Sequence, residues 1–230
     1  MFEDLFLCAQ KYNLDVVRSG YFVYQDGRDI LTQLNPDIPK EKIIKPIEYT
    51  RIFSHAPAIW TSIYNRNFIY RNNIQFLPTP GASFQDRSFA FKVLYCSERF
   101  MMINKAYLHY RQHSTNSVKS FNKIYCICNE WEEIFKFISD NPQYLAEIKP
   151  ILVPLSLKTF RWNFRKLNKK YRNEFLKACT SLYKKYNSLI TPIELLSNID
   201  RLEYLALTQY PNNYSLFLKL KHLFLRHIFR

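Results

Sequence analysis

Glycine is scarce in this chain, with three residues among 230. The phosphate-binding loops of P-loop proteins and of dinucleotide-binding folds each need several glycines within a few positions, because the backbone must approach the phosphates closely. Three glycines spread over the whole chain cannot form either loop. The sequence therefore excludes these two common nucleotide-binding folds.

Composition and charge indicate a globular protein with a basic second half. Apolar residues make up 47% of the chain and aromatic residues 17%, which is enough for a sizeable core. The formal net charge is +14, and residues 119–230 carry 19 Lys and Arg against 9 Asp and Glu, whereas residues 1–118 carry 14 against 10. Such an excess attracts polyanions, namely nucleic acid, an anionic membrane surface or phosphate-bearing ligands.

Targeting and redox signals favour a cytosolic location. The chain starts with Glu3 and Asp4 rather than with a basic segment and an apolar run, and no apolar run reaches the roughly 18 residues that span a bilayer. The five cysteines are odd in number, and Cys126 and Cys128 lack the further ligands that would complete a zinc site. We therefore expect reduced thiols.

The hydrophobic pattern predicts mixed structure first and helices afterwards. In the first half we expect a helix at the N-terminus, a strand over 15–25 ending at Asp26-Gly27, a polar connection over 28–50, a helix from about Ala58 to 69, and a strand pair around Asn104. From about Ser120 the pattern is helical, and prolines are expected to break or begin the helices at Pro150, Pro154 and Pro192.

Residues 76–96, FLPTPGASFQDRSFAFKVLYC, place one carboxylate where a shaped loop meets a helix. Two prolines and Gly81 bias the loop towards a turn, and the apolar pattern that follows predicts a buried helix with Ser83 or Asp86 near its N-terminus. Taken alone, these residues favour a helix-start role for Asp86, since the free N–H groups stabilise a carboxylate there. A catalytic role needs other support.

The last segment, residues 214–230, predicts a basic amphipathic helix without any acidic residue. Such a helix either lies in a membrane interface or packs on the core with a solvated basic face, and both alternatives stay open. In the first case, contacts to anionic head groups come from Lys219, Lys221, Arg226 and Arg230. Residues 160–175 also interleave basic and aromatic residues, but the aromatic spacing fits a helix core, so we do not expect nucleic-acid binding.

Four segments in the right order resemble family 2 glycosyltransferases of the GT-A fold. MFEDLFLCAQKYNLDVVRSGYFVY is similar to the helix and strand that follow the metal-binding Asp-X-Asp segment, and APAIWTSIYNRNFIYRNNIQFLP to the Trp-containing helix. TPGASFQDRSFAFKVL resembles the place where the family carries Glu-Asp or Gln-Asp at a helix head, and INKAYLHYRQHSTNSV resembles the closing strand. The resemblance implies an α/β fold: a truncated GT-A domain, the acceptor-side half with a small mixed sheet, over 1–118. A helical region over 119–213 and the basic helix over 214–230 would then form an all-α C-terminal part.

The resemblance also implies a function and a site. The reaction would be inverting glycosyl transfer from a nucleotide sugar to a surface-polysaccharide or glycolipid acceptor, with Asp86 as the general base. Acceptor contacts would come from Trp60, Tyr64 and Gln85, and contacts to the donor diphosphate or metal from Arg111, Gln112 and His113.

One departure from the family is large. Family members hold a divalent metal, Mn or Mg, with an Asp-X-Asp segment, and no Asp-X-Asp occurs in these 230 residues. We therefore expect this chain to be the C-terminal part of such an enzyme, inactive alone, acting with a separate N-terminal half at the inner face of the cytoplasmic membrane. The alternative is a non-catalytic membrane- or partner-binding remnant of the same fold.

Overall fold

The computed structural model describes residues 1–25, 27–32, 37–79, 84–111 and 125–228, with side chains up to residue 223. The chain divides into two compact units. The first comprises Met1–Asn116 and Asn141–Glu147, and the second comprises Ser117–Asp140 and Ile148–Arg230. The boundary predicted at residue 118 lies outside the described residues.

The first unit is a mixed α/β structure. Its helices are α1 (Phe2–Tyr12), α2 (Arg66–Arg71) and α3 (Asp86–Cys96), and its strands are β1 (Val16–Gln25), β2 (Arg28–Thr32), β3 (Ile43–Ile44), β4 (Ser62–Tyr64) and β5 (Phe100–Arg111). The strands form one sheet of order β2-β1-β5-β3, in which β4 also pairs with β1. The central pair, β1 and β5, is parallel. Buried Leu5 of α1 packs against apolar residues of both strands, including Val17 and Met101.

The turn after β1 lies where the sequence predicts it. β1 ends at Gln25, and Gly27 has a φ of +77°, a conformation that a side chain would disfavour. The polar connection predicted over 28–50 is wrong in part, because β2 and β3 lie within it, and β2 pairs antiparallel with β1. Ile30 and Leu31 of β2 are both exposed and adjacent, so the segment lacks the alternation that marks a strand.

The helix predicted from about Ala58 is also wrong at its start. Ala58 takes a left-handed conformation with φ +39°, a single 3-10 turn follows, and residues 62–64 then pair with β1 as β4. α2 begins only after Asn65, whose side chain accepts hydrogen bonds from two backbone N–H groups of the first turn. Residues 62–64 form a strand rather than a helix because they pair with β1, which is distant in the sequence.

The strand pair predicted around Asn104 is one strand of 12 residues, β5. The register between β1 and β5 shifts near Gly20, which faces Ala106, so Asn104 lies in an irregular stretch of the pairing. The backbone N–H of Asn104 donates to the Glu41 carboxylate at 2.7 Å instead. Because the Glu41 carboxylate accepts this hydrogen bond, β5 continues through Asn104, where the sequence suggests a turn.

Helices make up the rest of the described chain. They are α4 (Cys126–Asp140), α5 (Leu145–Lys166), α6 (Arg172–Lys185), α7 (Asn198–Thr208) and α8 (Tyr214–Ile228). Pro150 and Pro154, predicted to break a helix, lie inside α5. Each removes one backbone donor, but Leu152 and Val153 between them are fully buried, and we attribute the continuous helix to this packing. Within the described residues no helix is long and apolar enough to cross a bilayer.

A buried carboxylate connects α5, α7 and α8 in the second unit. Glu203 of α7 is inaccessible to solvent and accepts hydrogen bonds from Arg161, from Lys221 and, at 2.9 Å, from the Tyr214 hydroxyl. Burial, and then the charge of Glu203, raises the pKa of Tyr214, so the phenol stays a donor. Lys221, predicted to contact a membrane, donates from its ammonium group to Glu203, and its membrane contact stays a prediction.

Candidate functional site

Asp86 is the first residue of α3, at the helix head where the sequence predicts it. Phe84 just before it has a φ of +62°, an unusual conformation for an aromatic residue, and turns the chain into the helix. Burial of the carboxyl group raises the pKa of Asp86 above its ordinary value, against the opposing effect of Arg87. Asp86 is thus a stronger proton acceptor than a solvated aspartate.

The loop before α3 is tied to the helix by two contacts. The Gln85 side-chain amide donates to the carbonyl oxygen of Thr79 at 2.8 Å, and the ring of Phe76 stacks on Phe89 with centroids 4.0 Å apart. Gln85 was predicted to bind the acceptor, and in the structure its Nε2 group holds the loop. Residues 80–83, which include Pro80 and Gly81, lie outside the described part of the chain.

Tyr64, predicted as an acceptor contact, is a neighbour of Asp86. Its ring packs edge to face against Phe89 at 5.4 Å, and its hydroxyl donates to the Ile59 carbonyl at 2.9 Å. Burial raises the pKa of Tyr64, Arg18 lowers it, and the Asp86 carboxylate adds to the rise. A protonated phenol therefore lies within electrostatic range of the candidate base.

Trp60 belongs to an aromatic cluster on β1 and β5. It stacks on Tyr110, with centroids 5.2 Å apart and planes 4° from parallel, and meets Tyr21 edge to face at 4.7 Å. The Tyr64 hydroxyl donates a hydrogen bond to the carbonyl of Ile59, the residue directly before Trp60 in the sequence. Tyr21 and Tyr110 were not predicted from the sequence; the aromatic residues in YFVY and LHY are the signal that could have found them.

Arg18 was not predicted either, and it is the least exposed charged group near Tyr64. Its side chain is 1% exposed, its Nε atom donates to Ser62 Oγ at 3.1 Å, and its guanidinium lies 5.5 Å from the Phe100 ring centre. Among the described residues its Nη2 atom has no hydrogen-bond partner. Burial lowers the pKa of Arg18, but an arginine stays charged in proteins. An arginine inside the apolar run DVVRSG is the sequence signal for this buried cation.

The residues predicted for the donor side are only partly described. Arg111 ends β5, and its guanidinium lies over the ring of Tyr24, 5.6 Å from the ring centre. Gln112 and His113 lie outside the described residues. The structure thus brings Asp86 and Tyr64 together, with Trp60 on the same segment as Tyr64, and gives Arg111 a contact with Tyr24.

The described side chains do not fit the divalent metal that the family resemblance implies. In that part of the chain, no group of three or more His, Cys, Asp and Glu residues could hold a metal ion.

A polar cleft of about 710 Å³ opens at the other end of α3. Cys96, the last residue of α3, lines it, whereas Asp86 is the first, so the two places are about 15 Å apart along the helix. Its charged lining residues are Asp15, Glu98, Arg71 and Arg99. Their formal charges balance, which gives the cleft no net attraction for anions.

The connection between the parallel strands β1 and β5 contains α3, the helix that begins with Asp86. The α/β glycosyltransferase fold predicted from the sequence is confirmed by similarity to solved structures. The similarity establishes the fold of the chain and does not establish its activity.

Solved structures similar to this chain include three of S. aureus TarS, a family 2 glycosyltransferase, over its residues 1–349. One is in complex with UDP, one is described without a ligand, and one is in complex with UDP-GlcNAc; the TM-scores are 0.69, 0.69 and 0.70 at 16%, 15% and 15% identity. Each covers 96% of this chain, which spans 62% to 63% of the TarS structures. No family model and no curated protein matches the sequence.

Proposed function

We propose that this chain supplies the acceptor-side part of an inverting glycosyltransferase that moves a sugar from a nucleotide sugar to an acceptor hydroxyl. The observation that carries the proposal is Asp86, a carboxyl group with a raised pKa at the head of a helix whose preceding loop is anchored. The fold shared with TarS, which is known in complex with UDP-GlcNAc, supports the nucleotide-sugar class.

In the proposed reaction, the Asp86 carboxylate accepts the proton of the acceptor hydroxyl as that oxygen attacks the anomeric carbon of the donor. The new bond joins the acceptor oxygen to the anomeric carbon, and the bond from that carbon to the diphosphate oxygen breaks. The electron pair of the broken bond leaves with the nucleoside diphosphate. Attack from the face opposite the leaving group inverts the configuration. Gln85 beside Asp86 is not an acid, so a single carboxylate performs the proton transfer.

The neighbouring side chains suit the binding of a saccharide acceptor. The cluster of Trp60, Tyr21 and Tyr110 offers aromatic surface for the apolar face of a sugar ring, and Tyr64 offers a hydroxyl near Asp86. Because the pairs Gln85–Thr79 and Phe76–Phe89 hold the loop against α3, the base keeps its position relative to the acceptor. Arg111 remains a proposed contact of the donor diphosphate, together with Gln112 and His113.

The remaining parts of the proposal concern partners. The nucleotide pocket and the metal ligands would come from a further polypeptide segment, such as a separate N-terminal half, since the chain spans 62% to 63% of the TarS structures. The acceptor would be a surface polysaccharide or a glycolipid. The protein would lie at the cytoplasmic face of the inner membrane through the basic residues of its second unit.

The proposal is tested by measuring sugar transfer from labelled UDP-GlcNAc and other nucleotide sugars to extracted glycolipid and polysaccharide acceptors. The chain is assayed alone and mixed with the polypeptide encoded directly upstream of it. We expect transfer in the mixture and none by the chain alone. If the mixture neither binds nucleotide sugar nor transfers it, the non-catalytic binding remnant becomes the better account.

The pH profile of transfer should report the pKa of Asp86. A base works deprotonated, so the rate falls as the pH drops through its pKa; because burial raises that pKa, the acid limb of kcat/KM should lie above the ordinary aspartate value of about 3.9. Arg87→Gln removes the cation that lowers the pKa, and should move the limb to still higher pH. Lys177→Gln, at an exposed position of α6, serves as the control. An unchanged limb in Arg87→Gln would contradict the assignment.

A further inference from the structure

We propose that the second unit contains a binding pocket for the phosphate group of an anionic lipid. The pocket lies between α5, α6 and α8 and has a volume of about 390 Å³. We call it the basic pocket, and its polar lining residues are Arg165, Arg172, Ser215, Lys219 and His222. This inference deepens the proposed membrane association and does not depend on the proposed sugar transfer.

The charge of the basic pocket is not compensated. Arg165, Arg172 and Lys219 form no salt bridge within the described part of the chain, and no carboxylate lines the pocket. Elsewhere in the same unit, Arg161 and Lys221 are neutralised by Glu203. Three basic side chains around one concavity create a positive potential that attracts an anion.

The pocket is also preorganised for a phosphate. The Arg172 guanidinium is held by hydrogen bonds to the backbone carbonyls of Leu167, at 3.3 Å, and Arg165, at 3.4 Å, and it packs over the Phe164 ring. A guanidinium has five N–H donors, so Arg172 keeps donors for a ligand while its position is fixed. Arginine forks match the oxygen geometry of phosphate, and the Ser215 hydroxyl adds a further donor.

An exposed apolar row beside the pocket identifies the source of the phosphate. Leu216, Leu220 and Leu223 of α8 are 57%, 56% and 55% exposed and lie at helical spacing on one face. Ser215, Lys219 and His222 repeat the same spacing one residue earlier, about 100° around the helix. A bilayer interface satisfies both rows, because acyl chains cover the leucines while a head-group phosphate enters the pocket. A soluble phosphate or a nucleic acid would leave the leucines in water.

The test compares two double variants that each lose two positive charges. Arg165→Gln/Lys219→Gln alters the pocket, whereas Lys177→Gln/Lys184→Gln alters exposed lysines of α6 outside it. Binding of the full chain is measured by co-sedimentation with phosphatidylcholine vesicles that contain about a third phosphatidylglycerol, at physiological ionic strength. We expect the pocket variant to lose about 30-fold in affinity and the control variant less than about threefold.

A second measurement separates the leucine row from the pocket. Leu220→Gln should weaken binding to the vesicles but leave the affinity for glycerol 3-phosphate, measured by NMR titration, unchanged. The pocket variant should lose both. Circular dichroism and thermal unfolding establish that each variant is folded, and the pair Lys219→Gln and Lys184→Gln repeats the comparison with single changes if a double variant does not fold.

Three results would overturn the proposal. Equal losses in the two double variants would mean that overall charge, not the pocket, binds the vesicles. Binding of glycerol 3-phosphate without vesicle binding would assign the pocket to a soluble phosphate ester. Tighter binding of an oligonucleotide than of vesicles, lost in the pocket variant, would assign it to nucleic acid. None of these assays measures sugar transfer, so their failure is distinct from failure of the proposed function.

Discussion

Asp86→Asn should lower sugar transfer by roughly 10²–10⁴-fold, the contribution typical of a general base, in the preparation that transfers sugar. Asparagine keeps the shape of the side chain and its place at the head of α3, but it cannot accept the proton of the acceptor hydroxyl. The loss should appear in kcat, with little change in the affinity for the nucleotide sugar. Single-turnover transfer and donor binding, measured on the same preparation, distinguish the two effects.

The matched control is Asp37→Asn, the same chemical change at an exposed ion pair with Arg51 at 3.3 Å. It should leave transfer unchanged, since surface pairs contribute little. Both variants should unfold at temperatures close to that of the parent chain, because asparagine is also a good residue at a helix start. An Asp86→Asn variant that keeps more than about a tenth of the activity would exclude Asp86 as the base.

Glu203→Gln should lower the free energy of unfolding by about 3–5 kcal/mol, the range found when one partner of a buried ion pair is removed. The glutamine keeps the volume but not the charge, so Arg161 and Lys221 would remain together with 23% and 13% of their side chains exposed and no anion between them. The Tyr214 hydroxyl would also lose a charged acceptor. Urea denaturation followed by circular dichroism measures the loss.

Glu132→Gln is the control for this effect. Glu132 pairs with Lys185 on the surface, where 42% and 60% of the side chains are exposed, and the change should cost less than about 1 kcal/mol. A loss for Glu203→Gln as small as that of Glu132→Gln would show that the buried cluster is not a major source of stability for the helical unit.

The candidate site was predictable where its signal is local. The helix head at Asp86 follows from two prolines and an apolar run, and the turn at Gly27 follows from an Asp-Gly pair at the end of the predicted strand. The structure places Tyr64 within electrostatic range of Asp86, and their roles in acceptor binding and catalysis stay predictions. Arg18 and Tyr110 were missed, because a residue within a strand shows its site only when the partner strand and the facing loop are known.

By itself, the sequence determined what depends on near neighbours: the exclusion of glycine-rich phosphate loops, the α/β order of the first half, the helical second half and the carboxylate at a helix head. Tertiary structure decided what depends on distant residues. Residues 62–64 became strand because they pair with β1, and Pro150 stays within a helix in which Leu152 is buried. Lys221 forms a salt bridge with buried Glu203. Strand pairs and buried ion pairs join segments that are far apart in the chain, so local propensity cannot predict them.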